Sequence, residues 1–169
     1  MNIEVLFGKF VKRLNQRLMS FPASQDSVSL PAVEDGSSHL LYLHIPYCIS
    51  LCPFCSFHRV KFDYSSATSY FESLRREIAL HESLGYRFDE LYVGGGTPTV
   101  IPEELVRTID ELRNRHSIND VSVETNPDHL RSDSMQRLAD AGVTRLSVGV
   151  QSLDDGLLKK MQRYDAYGS

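Results

Sequence analysis

Apolar residues open the chain in a helical rhythm. Ile3, Leu6, Phe7, Phe10, Val11, Leu14 and Leu18 recur at three- and four-residue intervals, which predicts an amphipathic helix of about five turns over residues 1–20. Lys9, Lys12, Arg13 and Arg17 fall mostly on its other side. A basic amphipathic helix can lie on a membrane surface, but the plainer expectation is that this one packs on a domain. Residues 21–38 (FPASQDSVSLPAVEDGSS) are rich in Ser, Pro and Asp and read as a linker, so the core is expected over 39–169.

From there two periods alternate. Leu40–Ile45 (LLYLHI) has the length of a strand, and Ser65–Leu84 carries Ala67, Tyr70, Phe71, Leu74, Ile78 and Leu84 at helical spacing before Gly85. Glu90–Val93 forms a second strand, and Pro102 with Glu103 and Glu104 opens a helix through Leu105, Ile109 and Leu112. Asp120–Thr125 and a helix over Ser132–Ala141 make a third pair. Thr144–Val150 and a helical piece over Asp154–Arg163 make a fourth, with Asp154 and Asp155 at the helix start.

Strands alternating with helices predict βαβ units and a parallel sheet, either doubly wound or a (β/α) barrel. Both architectures place their sites on the loops after the strands. The unusual residues fall there: the cysteines after the first strand, Gly94-Gly95-Gly96-Thr97 after the second, Glu124 at the end of the third and Gln151 after the fourth. Four parallel strands alone would leave an unpaired apolar edge, so the core is expected to be truncated at its C-terminus.

Composition narrows the chemistry. The chain has 169 residues, 41% of them hydrophobic and 24% charged, as in an ordinary globular protein. A net charge of -4 gives no general reason to bind nucleic acid. No apolar run reaches the roughly 18 residues that would cross a bilayer, so a membrane span is not expected and a cytoplasmic location is. In that reducing compartment an odd number of crowded thiols points to metal or redox chemistry rather than disulfides.

All three cysteines fall within HIPYCISLCPFCSF, residues 44–57. A structural zinc site usually takes four ligands, so three thiolates would need His44 or His58 as the fourth, which leaves a Cys3His zinc module as an alternative. A [4Fe-4S] cluster also normally takes four cysteines, and with three one iron is left for an external ligand. His44 is expected to orient the loop by hydrogen bonding. The glycines at 94–96 remove side chains so that backbone amides can approach an amino-acid carboxylate, and Thr97 adds a hydroxyl donor. Glu124 is an acceptor suited to an ammonium group.

The C-x-x-x-C-x-x-C spacing of Cys48, Cys52 and Cys55 after the first strand resembles the radical S-adenosylmethionine (SAM) superfamily. YLHIPYC (Tyr42–Cys48), GGGTPT (Gly94–Thr99), the E-x-N-P segment Glu124–Pro127 and RLSVGVQSLDD (Arg145–Asp155) resemble one branch of it, the oxygen-independent coproporphyrinogen III oxidase group. That branch also holds haem chaperone-like proteins, methyltransferases and cyclopropanases. The likeness covers about residue 40 to residue 163 and implies the N-terminal part of a partial TIM-type (β/α) barrel.

It further implies a [4Fe-4S] cluster on Cys48, Cys52 and Cys55, with SAM on the open iron, cleaved reductively to a 5′-deoxyadenosyl radical. Tyr42 resembles a position that contacts this SAM, and Gly95 and Glu124 belong with it. Phe54, Gly96, Thr97, Gln151 and Arg163 resemble contacts of a second SAM, with Arg163 placed to meet a carboxylate. The implied partners are a small-molecule substrate, a tetrapyrrole or another organic molecule, and a reductant such as flavodoxin or ferredoxin.

The sequence departs from the oxidases at two places. Phe57 stands where they carry a further cysteine, which tilts the reading toward the haem chaperone-like or alkyl-transferring relatives. Gln162-Arg163-Tyr164-Asp165 stands where the group usually reads G-R-x-H.

Overall fold

The computed structural model describes residues 32–34 and 36–168. The predicted helix at 1–20 and most of the predicted linker lie outside the described residues. Within them the chain runs β1 (His39–Ile45), β2 (Tyr47–Cys48), β3 (Val60–Lys61), α1 (Tyr64–Ser83), β4 (Phe88–Gly95), α2 (Pro102–Arg115), β5 (Asp120–Thr125), α3 (Ser132–Asp140), β6 (Arg145–Val148), α4 (Asp155–Lys160) and α5 (Tyr164–Tyr167). The alternation expected from the sequence is present, and β5 occupies the predicted residues.

Strands β1, β4, β5 and β6 form one parallel sheet in that order. Because side chains alternate across a strand, each strand presents two different faces. Leu43, Ile45, Leu91, Val93, Val121 and Val123 point to one face and are buried against Phe71 and Ile78 of α1, Leu105, Ile109 and Leu112 of α2, and Leu138 of α3. Burying a side chain such as Phe71 contributes about 1.5–3 kcal/mol. Helix α1 packs beside α2 and α2 beside α3. On the opposite face Tyr42, Tyr92, Ser122 and Arg145 lie in register across the four strands. Among the described residues the helices lie on one face and the opposite face is polar, which is the arrangement of a barrel wall; a doubly wound sheet would cover both faces.

The helix starts follow local chemistry. Asp63 caps α1 by accepting from Ser66 N at 2.8 Å, Pro102 occupies the first turn of α2, and Asp154 caps α4 by accepting from Leu157 N at 2.8 Å.

Three expectations are corrected. The fourth strand ends at Val148 rather than Val150 because the chain turns sharply at Gln151, whose φ is 67°. The last helix is not continuous from Asp154 to Arg163. It ends at Lys160, Gln162 takes a φ of 54°, and a separate turn follows at Tyr164–Tyr167. The cysteine segment is not an unpaired loop either, because Val60 N donates to Pro46 O at 2.8 Å and Phe62 N to Cys48 O at 2.9 Å, pairing β2 with β3. Two-residue strands of this kind leave no period to read.

Candidate functional site

Every loop at the C-terminal end of the sheet contributes to one cavity of about 370 Å³. Its lining includes Cys48, Cys52 and Cys55, Phe54, Gly95, Gly96 and Thr97, Glu124, Gln151 and Arg163. The structure therefore gathers most of the residues singled out in the sequence; Tyr42, Gly94, His44 and His58 do not line the cavity. The Tyr42 side chain is 50% exposed on the polar sheet face, its hydroxyl 3.0 Å from His44 Nδ1 and its ring 5.9 Å from the ring of Tyr92. Tyr92 in turn donates to Glu124 Oε1 at 2.6 Å. Tyr42 approaches the cavity through this tyrosine–carboxylate pair.

Cys48 and Cys52 are buried and Cys55 is half-buried. The loop that carries them is held from several sides. His44 Nε2 lies 3.0 Å from His58 O, so the histidine of β1 grips the far end of the loop, as expected. Tyr47 bonds Ser66 at the start of α1, and Arg59 donates to the carbonyls of Cys52 and Cys55.

A polar network then joins two of the thiols through the three other strand ends. Thr97 Oγ1 donates to Cys48 Sγ at 3.6 Å and accepts from Asn126 Nδ2 at 2.9 Å. Asn126 Oδ1 accepts from Arg163 Nη2 at 2.9 Å, and Arg163 Nη1 donates to Cys52 Sγ at 3.5 Å. Arg163 also donates to Gly149 O and lies over the ring of Tyr167, 4.1 Å from its centroid. Thr97 is 1% exposed and Arg163 4%. In so dry a place each satisfied polar group rigidifies its neighbours.

The glycine run is placed as predicted but works differently. Gly95 N donates to Glu124 Oε2 at 3.1 Å, Gly96 N to Ile45 O at 2.8 Å and Thr97 N to Tyr47 O at 2.8 Å. These amides are spent inside the protein and are not free to meet a carboxylate. The need for glycine is steric. Gly95 has a φ of 120°, and a Cβ on Gly96 would sit 2.7 Å from Tyr47 O. The run lets β4 close against the stem of the cysteine loop. Thr97 likewise offers its proton to a thiol, and Arg163 meets one backbone carbonyl, an amide and a thiol where a carboxylate was expected.

Burial pushes the Cys48 thiol up, as do the thiols of Cys55 and Cys52, while the Thr97 hydrogen bond and the Arg59 charge pull it down. Burial pushes the Tyr167 phenol up to about 12, and the neighbouring Cys52 and Cys48 act in the same direction. Such crowding of thiols is relieved when they are deprotonated onto a metal. Among the described residues no three His, Cys, Asp or Glu side chains converge on a single ion position. His44 also has both ring nitrogens engaged. To act as the fourth ligand of a Cys3His site, His44 would have to give up one of these bonds.

Asn126, Tyr92, Arg59 and Tyr167 belong to the site and were not singled out in the sequence. Asn126 lay within the E-x-N-P segment, which was a usable signal. Nothing local marked the other three.

Known proteins resemble this chain in sequence and in fold. The radical SAM superfamily profile matches residues 42–167. The chain is 33% identical over 129 residues to the heme chaperone HemW of Bacillus subtilis (strain 168), covering 72% of this chain and 34% of that protein. It is 35% identical over 147 residues to the oxygen-independent coproporphyrinogen III oxidase of Bradyrhizobium diazoefficiens, covering 82% of this chain and 32% of the relative. The solved structure of coproporphyrinogen III oxidase (HemN) from Escherichia coli, described as a radical SAM enzyme, superposes with a TM-score of 0.66 at 31% identity, over 73% of this chain and 30% of that one. The chain thus spans about a third of the length of the curated relatives it matches. Among the described residues no helix is long and apolar enough to cross a membrane.

Proposed function

The chain belongs to the radical SAM superfamily, and on that premise we propose that residues 39–169 form a core that holds a [4Fe-4S] cluster through Cys48, Cys52 and Cys55 and binds SAM beside it. The observation that carries this reading is the donor set: three thiols and no fourth, lining one cavity together with Glu124. The residues fit the group, since two thiols already receive side-chain hydrogen bonds and Arg59 Nε is buried with no partner among the described residues.

Cluster and SAM together supply a one-electron reductive cleavage of the sulfonium to a 5′-deoxyadenosyl radical. The protein's part is to bind and orient. Glu124 accepts from Tyr92 and Gly95, and a carboxylate has lone pairs left for the ammonium of SAM. Gly95, Gly96, Thr97, Phe54 and Gln151 line the same cavity, and the Tyr42 ring lies against that of Tyr92, which bonds Glu124. Arg163 bridges the floor to Cys52 and borders the space for a second SAM. Electrons would come from a flavodoxin- or ferredoxin-like carrier in a reducing cytoplasm. The substrate would be a tetrapyrrole or another organic molecule meeting the polar sheet face.

A second reading, a haem-handling protein that keeps the cluster and SAM sites, is favoured by Phe57. It lines the cavity and is 72% exposed at the position where the oxidases carry a further cysteine. Anaerobic reconstitution with iron and sulfide tests both. The proposal expects sulfide equal to iron and release of 5′-deoxyadenosine with dithionite and SAM. One stoichiometric zinc and no sulfide would overturn it. A bound cluster with haem binding and no SAM cleavage would favour the second reading.

A further inference from the structure

Arg59 ends the cysteine loop, and no sequence motif marks it. Its Nη2 donates to Cys52 O and to Cys55 O, the latter at 3.0 Å, so a single nitrogen closes the loop over two of its three thiol-bearing residues. The side chain lines the cavity, and its Nε is buried without a partner among the described residues. No ion pair among the described residues involves Arg59. The two carbonyl oxygens accept from Nη2 alone and do not neutralise the charge of the guanidinium. Arg59 is half-buried, and even partial withdrawal of a guanidinium from water without a counter-charge is costly, so this arrangement favours negative charge arriving beside it.

We propose that Arg59 is a positioning residue that holds the thiol loop closed and, through its positive charge, favours the reduced form of an iron–sulfur cluster bound there. Each electron taken up adds one negative charge to such a cluster. A fixed cation beside its ligands therefore raises the tendency to accept that electron, as hydrogen bonds and net charge generally do for these centres. Arg163 differs in kind, because it donates to a thiol directly and forms part of the cavity floor. Arg59 touches only the backbone of the ligand loop, so its influence on the potential would come from charge.

The inference rests on the cluster reading, and the test keeps the two separate. Wild type, R59K and R59Q are reconstituted anaerobically, analysed for iron and sulfide, and titrated potentiometrically with the reduced state followed by electron paramagnetic resonance. R59Q is expected to hold a cluster whose equilibrium constant for reduction is about tenfold lower, about 59 mV for one electron. R59K, which keeps the charge, is expected to stay near the wild type. If wild type acquires no cluster, the cluster reading fails and this inference falls with it. If wild type holds one and R59Q has an unchanged potential, only the role of Arg59 is overturned. A drop in R59K equal to that in R59Q also overturns it, since fork geometry and not charge would then be responsible. Should R59Q hold no cluster, R59K decides: a potential near wild type supports the proposal, and a tenfold drop refutes it.

Discussion

The interface between α1 and α2 and the floor of the thiol cavity each bury an arginine, and they satisfy it in opposite ways. Arg75 of α1, 9% exposed, meets Glu104 of α2 at 2.7 Å and the Thr108 hydroxyl at 3.2 Å, so charge and hydrogen bonds are balanced within the protein. Arg163 is more deeply buried, yet its partners are the Gly149 carbonyl, the Asn126 amide and the Cys52 thiol, and no ion pair among the described residues involves it. A buried ion pair is complete on its own, whereas a buried cation among neutral groups is complete only when negative charge comes to it. The first arrangement holds two helices together; the second is what a site for anionic ligands requires.

The comparison can be broken most severely at the thiols. Replacing any one of Cys48, Cys52 and Cys55 by alanine is expected to abolish equal uptake of iron and sulfide in reconstitution, and a variant that still loads fully would remove the anion that Arg163 is held to await. Next in size, Arg75→Met strands Glu104 without its partner and is expected to cost about 3 kcal/mol in urea unfolding.

Arg163→Met is expected to cost less in the metal-free chain, about 1–2 kcal/mol, because it removes hydrogen bonds together with an uncompensated charge. The sharper measurement is the gain in stability on loading the cluster, which should be smaller in Arg163→Met than in wild type. Equal gains would place Arg163 with Arg75 as a purely structural cation.

The smallest effect is expected at the far end of the same helices. Glu82 accepts from Arg115 at 2.9 Å and from His116 at 2.7 Å. Burial works to raise its carboxyl, but these hydrogen bonds outweigh it and hold the group below the ordinary value of 4.5. A depressed carboxyl stabilises the fold at pH above that ordinary value and loses its contribution as pH falls through the depressed one. Glu82→Gln should therefore flatten the acid limb of stability against pH. At neutral pH it should cost about 0.5 kcal/mol, Arg115 being 40% exposed and screened by solvent.

Much of this was legible before any coordinates. The apolar spacing of Ala67, Phe71, Leu74 and Ile78 marks α1 because an amphipathic helix repeats every turn, and β5 was readable because Val121 and Val123 alternate with polar neighbours. The thiols, Glu124 and the glycine run were legible as types suited to a chemistry at strand ends. Arg59 was not, since its role lies in bonds to backbone carbonyls of Cys52 and Cys55 that no residue-type pattern marks, and Tyr167 was not, since its partner is far away in the chain. Tyr167 reaches Ser50 O across 117 positions of the chain.

The sequence by itself determined the alternation of the main strands and helices, the helix starts at Pro102 and Asp154, and the three thiols and no fourth, because these follow from local periodicity, capping and composition. Tertiary structure alone decided that the helices cover one face of the sheet and that the amides at 95–97 are spent on Glu124 and the cysteine stem. It also decided that Arg163 is buried beside a thiol instead of solvated on a helix. Those outcomes depend on which groups meet across the chain, and on which of them burial leaves without a counter-charge.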